Sequence, residues 1–199
     1  MYKQDTIAAI ATPAGKGAIA IIRLSGSNLR NIYSDLTKKS NYEDRRASYL
    51  PIYGHNGLIL DKCMVIFIKG PNSYTGEDII EINCHGGNLV PKILLSEILR
   101  FDNVRLANNG EFTRRSFLNG RIDLTQAESI SALIESETEI IKEINLRNSD
   151  GFISEKIQLV NKNLFDLLTI IEHELDFNDQ EVKHITLLEI QKKLISIND

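Results

Sequence analysis

The chain has 199 residues, 42% apolar and 25% charged, with a net charge of −4, an ordinary composition for one large folded domain or two small ones. No apolar run approaches the ~20 residues that cross a bilayer, and no apolar segment follows Met1–Asp5 as it would in a secretory signal. Two cysteines, Cys63 and Cys84, make no disulfide framework, so the expectation is a cytoplasmic protein with no membrane segment and with buried thiols.

In chain order, residues 5–11 and 17–25 read as strands rich in Ile and Ala. The turn Thr12-Pro13-Ala14-Gly15-Lys16-Gly17 joins them. Ser27 is placed as a helix N-cap, and Leu29, Ile32, Tyr33 and Leu36 follow at helical spacing. Residues 38–48 are polar and read as a loop. Strand patterns return at 48–53, 57–60 and 63–69, with a hairpin turn at Gly54-His55-Asn56-Gly57. The segment 70–78 is a loop by composition and feeds a strand from Ile79 to Asn83, followed by Cys84-His85-Gly86-Gly87. A helix with Leu89, Ile93, Leu94, Ile98 and Leu99 on one face comes next, Pro91 fitting only its first turn. Val104–Leu106 is a short strand.

From Leu124 the strand signal ends. Ala127, Ile130, Leu133, Ile134, Ile141 and Ile144 form one apolar stripe, and Ile153, Ile157, Val160, Leu164, Leu167, Ile171 and Leu175 form another. A last helix begins with Leu187, Leu188 and Ile190. The pattern predicts an α+β domain over residues 1–120 and an incomplete helical bundle over 121–199. Charge follows the same division, +4 over residues 1–120 and −8 over 121–199. A basic front half favours an anionic ligand or a nucleic acid, although no dense basic cluster accompanies it.

Familiar catalytic and metal motifs are missing. The sequence holds no Gly-x-Ser-x-Gly elbow, and its four histidines show no HExxH spacing and no accompanying CxxC, so no metal site is expected. Gly15-Lys16 lacks both the first glycine and the following Ser/Thr of a phosphate-binding P-loop, so these residues give no reason to expect nucleotide hydrolysis.

Charges inside apolar runs stand out instead. Arg23 interrupts Ala18–Leu24, and Glu81 interrupts Ile79–Ile82. Each either points into a cleft or pair, or alternates outward on a half-exposed sheet. A carboxylate matches the paired N–H donors of a pterin or guanine edge, and a guanidinium holds a carboxylate or ring carbonyl in fork geometry. Arg121 adds a cation at the domain boundary. Arg114 and Arg115 read as solvated charges on a helix. No catalytic residue is assigned, Glu81 and His85 being the only conspicuous candidates for a general base.

Several strings carry a resemblance. Asp5–Gly17 with Ile22-Arg23-Leu24-Ser25-Gly26, then Gly70–Asp78 with His85-Gly86-Gly87, then Gly110–Glu128, resemble in order the tRNA-modification GTPases known as MnmE or TrmE. Asp176-Phe177 looks like that family's acidic stretch, with Asn178 where proline is frequent. The resemblance implies a folate-binding, homodimerising first domain with a fold similar to the glycine-cleavage aminomethyltransferase, then a helical domain. It implies a tetrahydrofolate ligand, typically 5-formyltetrahydrofolate, with contacts falling on Arg23, Glu81 and Arg121, the last often lysine in the family. A flavoprotein partner, MnmG or GidA, and tRNA complete the implied assembly, which places an aminomethyl or carboxymethylaminomethyl group on C5 of the wobble uridine. The family's inserted GTPase domain, with its GTP, potassium and magnesium sites, has no counterpart in these 199 residues. Two alternatives stay open: a stand-alone folate-dependent aminomethyl transferase, and a non-catalytic dimerisation module.

Overall fold

A computed structural model describes residues 5–176 and 191–192. Residues divide into two compact units, one through Ile122 and one from Asp123.

The first unit is a six-stranded sheet with helices packed on it. Its strands are β1 (Thr6–Ile10), β2 (Ile19–Gly26), β3 (Ala47–Tyr53), β4 (Ile59–Ile68), β5 (Asp78–His85) and β6 (Val104–Leu106). They lie in the order β3-β4-β5-β2-β1-β6, all antiparallel except β1 with β6. Because strand side chains alternate between faces, Ile22, Leu24, Val65, Phe67, Ile80 and Ile82 all reach one face, and there they form the core. Helix α1 (Leu29–Thr37) supplies Leu29, Ile32, Tyr33 and Leu36 to that core, and α2 (Val90–Ile98) supplies Leu94 and Ile98. Cys63 and Cys84 are buried in the same core as free thiols, and burial pushes both thiols up.

The structure departs from the sequence pattern at several points. Asn28, not Ser27, caps α1, in a left-handed conformation (φ 64°) that asparagine tolerates well. The stretches 57–60 and 63–69 join into the single strand β4, with a register irregularity at Ile52/Tyr53 of β3. On α2 the core stripe is Pro91, Leu94 and Ile98, at steps of three and four, so Leu89 and Ile93 face outward. Helix α3 (Glu111–Leu118) completes the unit.

The second unit holds α4 (Leu124–Ile134), α5 (Glu139–Ser149) and α6 (Phe152–Asp176). Asp123 and Gln126 form a reciprocal capping box on α4, with the Gln126 N–H donating to Asp123 Oδ1 at 2.9 Å and the Asp123 N–H to Gln126 Oε1 at 3.0 Å. The single stripe read over 127–144 is broken into two helices because the Thr138 side chain accepts from the Ile141 N–H and starts α5 afresh. Much of the α5 and α6 stripes is exposed, Ile141, Ile144, Ile157 and Leu164 included. The last predicted helix, from Leu187, the pair Phe177-Asn178 and the histidine His184 lie outside the described residues, apart from Gln191 and Lys192, which are helical. Among the described residues no helix is long and apolar enough to cross a membrane.

Candidate functional site

Arg23 and Glu81 meet. The β2–β5 register sets them directly opposite one another, on the sheet face turned away from α1 and α2. The Arg23 Nε–H donates to Glu81 Oε1 at 2.8 Å, and Nη2 lies 2.6 Å from the same oxygen. The side chains are 31% and 19% exposed. Both contacts use one carboxylate oxygen, so Glu81 Oε2 and Arg23 Nη1 are without partners among the described residues. The pair therefore leaves one acceptor and one donor uncommitted on a half-covered surface.

Phe112, on α3, covers the guanidinium, its ring centroid 5.7 Å from Arg23 Cζ. That cation–π contact limits the directions in which Arg23 swings. Nothing in the local pattern singles out Phe112, since its role depends on where α3 docks.

Arg121 stands apart from the pair. It follows α3, its N–H donates to the Ser116 carbonyl at 2.9 Å, and its aliphatic stem lies against Gly76. Its head makes no ion pair among the described residues. The site is thus a half-covered ion pair on a sheet face, with Arg121, which makes no ion pair among the described residues, on the turn after α3. The cavities of about 570, 420 and 300 Å³ in this structure are lined by none of the three residues.

A second charged network centres on Arg115. Arg115, expected in solvent, is 1% exposed. Its Nη2–H donates to Asp5 Oδ1 at 2.6 Å and Glu111 Oε1 at 3.2 Å, and its Nη1–H to the Asp5 carbonyl at 2.9 Å and Glu77 Oε2 at 3.1 Å. Arg105 bridges the same acids, reaching Asp5 Oδ2 at 2.7 Å and Glu111 Oε2 at 2.8 Å. Ser25 Oγ joins Glu77 Oε2 at 2.7 Å and Thr75 Oγ1 at 2.6 Å. Hydrogen bonds from Arg105, with the Asn108 N–H and Arg115 adding to them against the opposing effect of burial, hold the Glu111 carboxyl down at about 2. Burial pushes Asp5 up, but its bonds to Arg105 and Arg115 outweigh this and leave it below its ordinary value. Arg114, one residue earlier, is exposed as expected. Asp5, the 70–78 loop and α3 are therefore tied to one another by buried charge.

His85 has a carboxylate partner. Its Nδ1 lies 2.7 Å from Asp61 Oδ1, its backbone N–H donates to Asp61 Oδ2 at 2.9 Å, and its ring is exposed. Burial pushes Asp61 up, while hydrogen bonds from His85, Lys62 and Cys63 outweigh it and hold the carboxyl below its usual range. Among the described residues, no group of three or more His, Cys, Asp or Glu could hold a metal ion.

Residues 6–121 match the family described as GTP-binding protein TrmE N-terminus, and residues 124–199 match the MnmE helical domain. The chain is 42% identical over 200 residues to the tRNA modification GTPase MnmE of Clostridioides difficile (strain 630), covering 97% of this chain and 43% of that protein. It is 45% identical over 177 residues to the protein of the same name from Thermotoga petrophila, covering 88% of this chain and 39% of that one. The corresponding protein of Sulfurimonas denitrificans is 40% identical over 191 residues, 96% of this chain and 43% of its own length. The chain thus spans less than half the length of these curated relatives.

Proposed function

The chain belongs to the MnmE/TrmE family of tRNA modification GTPases, and from that premise we propose that it is the portion that binds a tetrahydrofolate and pairs subunits. Residues 1–120 form the folate-binding and dimerisation domain in this reading, and residues 121–199 the first half of the helical domain. Glu81 accepts from the paired N–H donors of the pterin edge, and Arg23 donates to its ring carbonyl. Arg121 holds the anionic end of the ligand, typically 5-formyltetrahydrofolate.

The observation that supports this reading is the single-oxygen contact between Arg23 and Glu81. It leaves a donor and an acceptor uncommitted on a surface that Phe112 partly covers. In the assembled cytoplasmic enzyme the folate carries the one-carbon unit, a flavoprotein of the MnmG/GidA type joins the homodimer, and C5 of the tRNA wobble uridine is the acceptor. GTP, potassium and magnesium are bound by a domain outside these residues.

Titration calorimetry with 5-formyltetrahydrofolate tests the assignment. Glu81→Gln keeps the size of the side chain and removes its second charged acceptor, so affinity falls by about 1–3 kcal/mol. Unchanged binding heats in this variant count against it. Chain mass in solution, with and without the folate, tests the pairing of subunits.

A further inference from the structure

We infer that the groove between the Thr12–Gly17 turn and the first turn of α2 binds backbone phosphates of an RNA strand. The groove encloses about 570 Å³, and its lining includes Gly15, Lys16, Gly17, Gly87, Asn88 and Lys92. It also touches Ile10 and Ala20, which pack on the helix-covered side of the sheet. The lining includes none of Arg23, Glu81 and Arg121, so this is a different site from the one above.

Three features give the groove one chemistry. Its lining holds two ammonium groups and no carboxylate, and neither Lys16 nor Lys92 is ion-paired among the described residues. The backbone N–H groups of Gly15, Lys16, Gly17, Gly87 and Asn88 have no acceptor among the described residues. The two glycine turns are locked together, with the Gly86 N–H donating to the Ala18 carbonyl at 3.0 Å, so the cradle is formed by backbone. Unpaired donors beside uncompensated positive charge suit an anion. Lysine recognises phosphate as a point charge without demanding a fixed fork.

The size of the groove and its remaining lining narrow the ligand further. The volume exceeds that of a single phosphate, and no aromatic ring lines the groove to stack a base. Contacts to phosphate position a strand without reading its sequence. The choice of RNA over a free anion rests on the reading that the family's substrate is tRNA.

Binding of an unmodified tRNA transcript to the 199-residue chain, at several salt concentrations, tests this. The variant K16E/K92E is compared with K156E/K162E, which changes the same net charge on exposed positions of α6. Thermal unfolding of each variant checks the fold. K16E/K92E is expected to weaken tRNA binding about tenfold or more and to reduce the salt slope by roughly 0.7 per lost contact, while K156E/K162E retains affinity within about threefold. Inorganic phosphate is expected to shift the amide resonances of Gly15–Gly17 and Gly87. Equal losses in both variants, or no tRNA binding by the wild-type chain, overturn the proposal. Phosphate-induced shifts without tRNA binding overturn the RNA assignment and leave a free anion as the ligand. A 5-formyltetrahydrofolate titration of the same samples reports separately on the folate reading.

Discussion

Arg115 Nη2 lies 2.6 Å from Asp5 Oδ1, joining positions 110 residues apart in a contact that is 1% exposed on the arginine side. The same guanidinium reaches Glu77 and Glu111, so the residue leading into β1, the 70–78 loop and α3 share one buried cation. Removing it strands carboxylates away from water, which is strongly destabilising for buried pairs. Arg115→Met is expected to lower unfolding free energy by about 3–5 kcal/mol, measured by urea denaturation at pH 7. Arg115→Lys is expected to recover little, because a single ammonium cannot span acceptors on three segments. A loss under about 1 kcal/mol would show the network to be energetically neutral.

The same network sets the response to acid. Glu111 falls from an ordinary 4.5 to about 2 in the folded chain, and Asp5 is shifted in the same direction. For a depressed carboxyl the stabilisation is complete above the unfolded value and is lost as pH falls through the folded one. Stability is therefore expected to decline from about pH 4.5 toward pH 2, with Glu111 contributing up to roughly 3 kcal/mol. Glu111→Gln should be less stable at pH 7 and show a flatter decline over that window. Urea midpoints measured from pH 7 to pH 2.5 check both signs; an unchanged slope in the variant refutes the assignment.

How much of this was readable beforehand depends on distance along the chain. The alternation in β2 and β5 separates Ile22, Leu24, Ile80 and Ile82 from Arg23 and Glu81, and that period is local. The pairing of Arg23 with Glu81 is not local: 58 residues separate them, and the strand order decides that they oppose. Arg114 and Arg115 show the limit most sharply. They are identical neighbours about 100° apart on one helix, and Arg115 alone faces Asp5 and Glu77, which lie far away in sequence. Arg121 carries a motif signal, but its spacing from the pair depends on how the 70–78 loop and the end of α3 pack.

Close backbone approach gives a prediction with an internal control. A Cβ on Gly86 would fall 2.2 Å from the Gly17 carbonyl oxygen and 2.7 Å from its carbon, atoms that cannot rotate away. A Cβ on Gly17 would meet only the Ile19 oxygen, at 3.6 Å. Gly86→Ala is thus expected to destabilise by about 1–3 kcal/mol or more through overpacking, and Gly17→Ala to stay within about 1 kcal/mol of the parent. Thermal melts of the two variants decide it. Equal stabilities would mean that the two turns separate readily.

The two arginines of the candidate site differ in what they can lose. Arg23 is held by geometry, with two contacts to Glu81 Oε1 and the Phe112 ring 5.7 Å away. Lysine cannot keep a two-nitrogen contact and leave a further donor in the same plane. Arg121 has no ion pair among the described residues and meets its surroundings through its aliphatic stem on Gly76, so a point charge at that position suffices. Arg23→Lys is accordingly expected to weaken 5-formyltetrahydrofolate binding by about 1–3 kcal/mol, whereas Arg121→Lys changes it by under about 0.5 kcal/mol. Arg121→Ala, which removes a solvent-screened charge, is expected to cost about 0.2–1 kcal/mol, less at high salt. Calorimetric titrations at low and high salt separate these cases. If Arg23→Lys binds as the parent does, the planar fork is not what the ligand reads, and the pair on β2 and β5 is a fastening of the sheet.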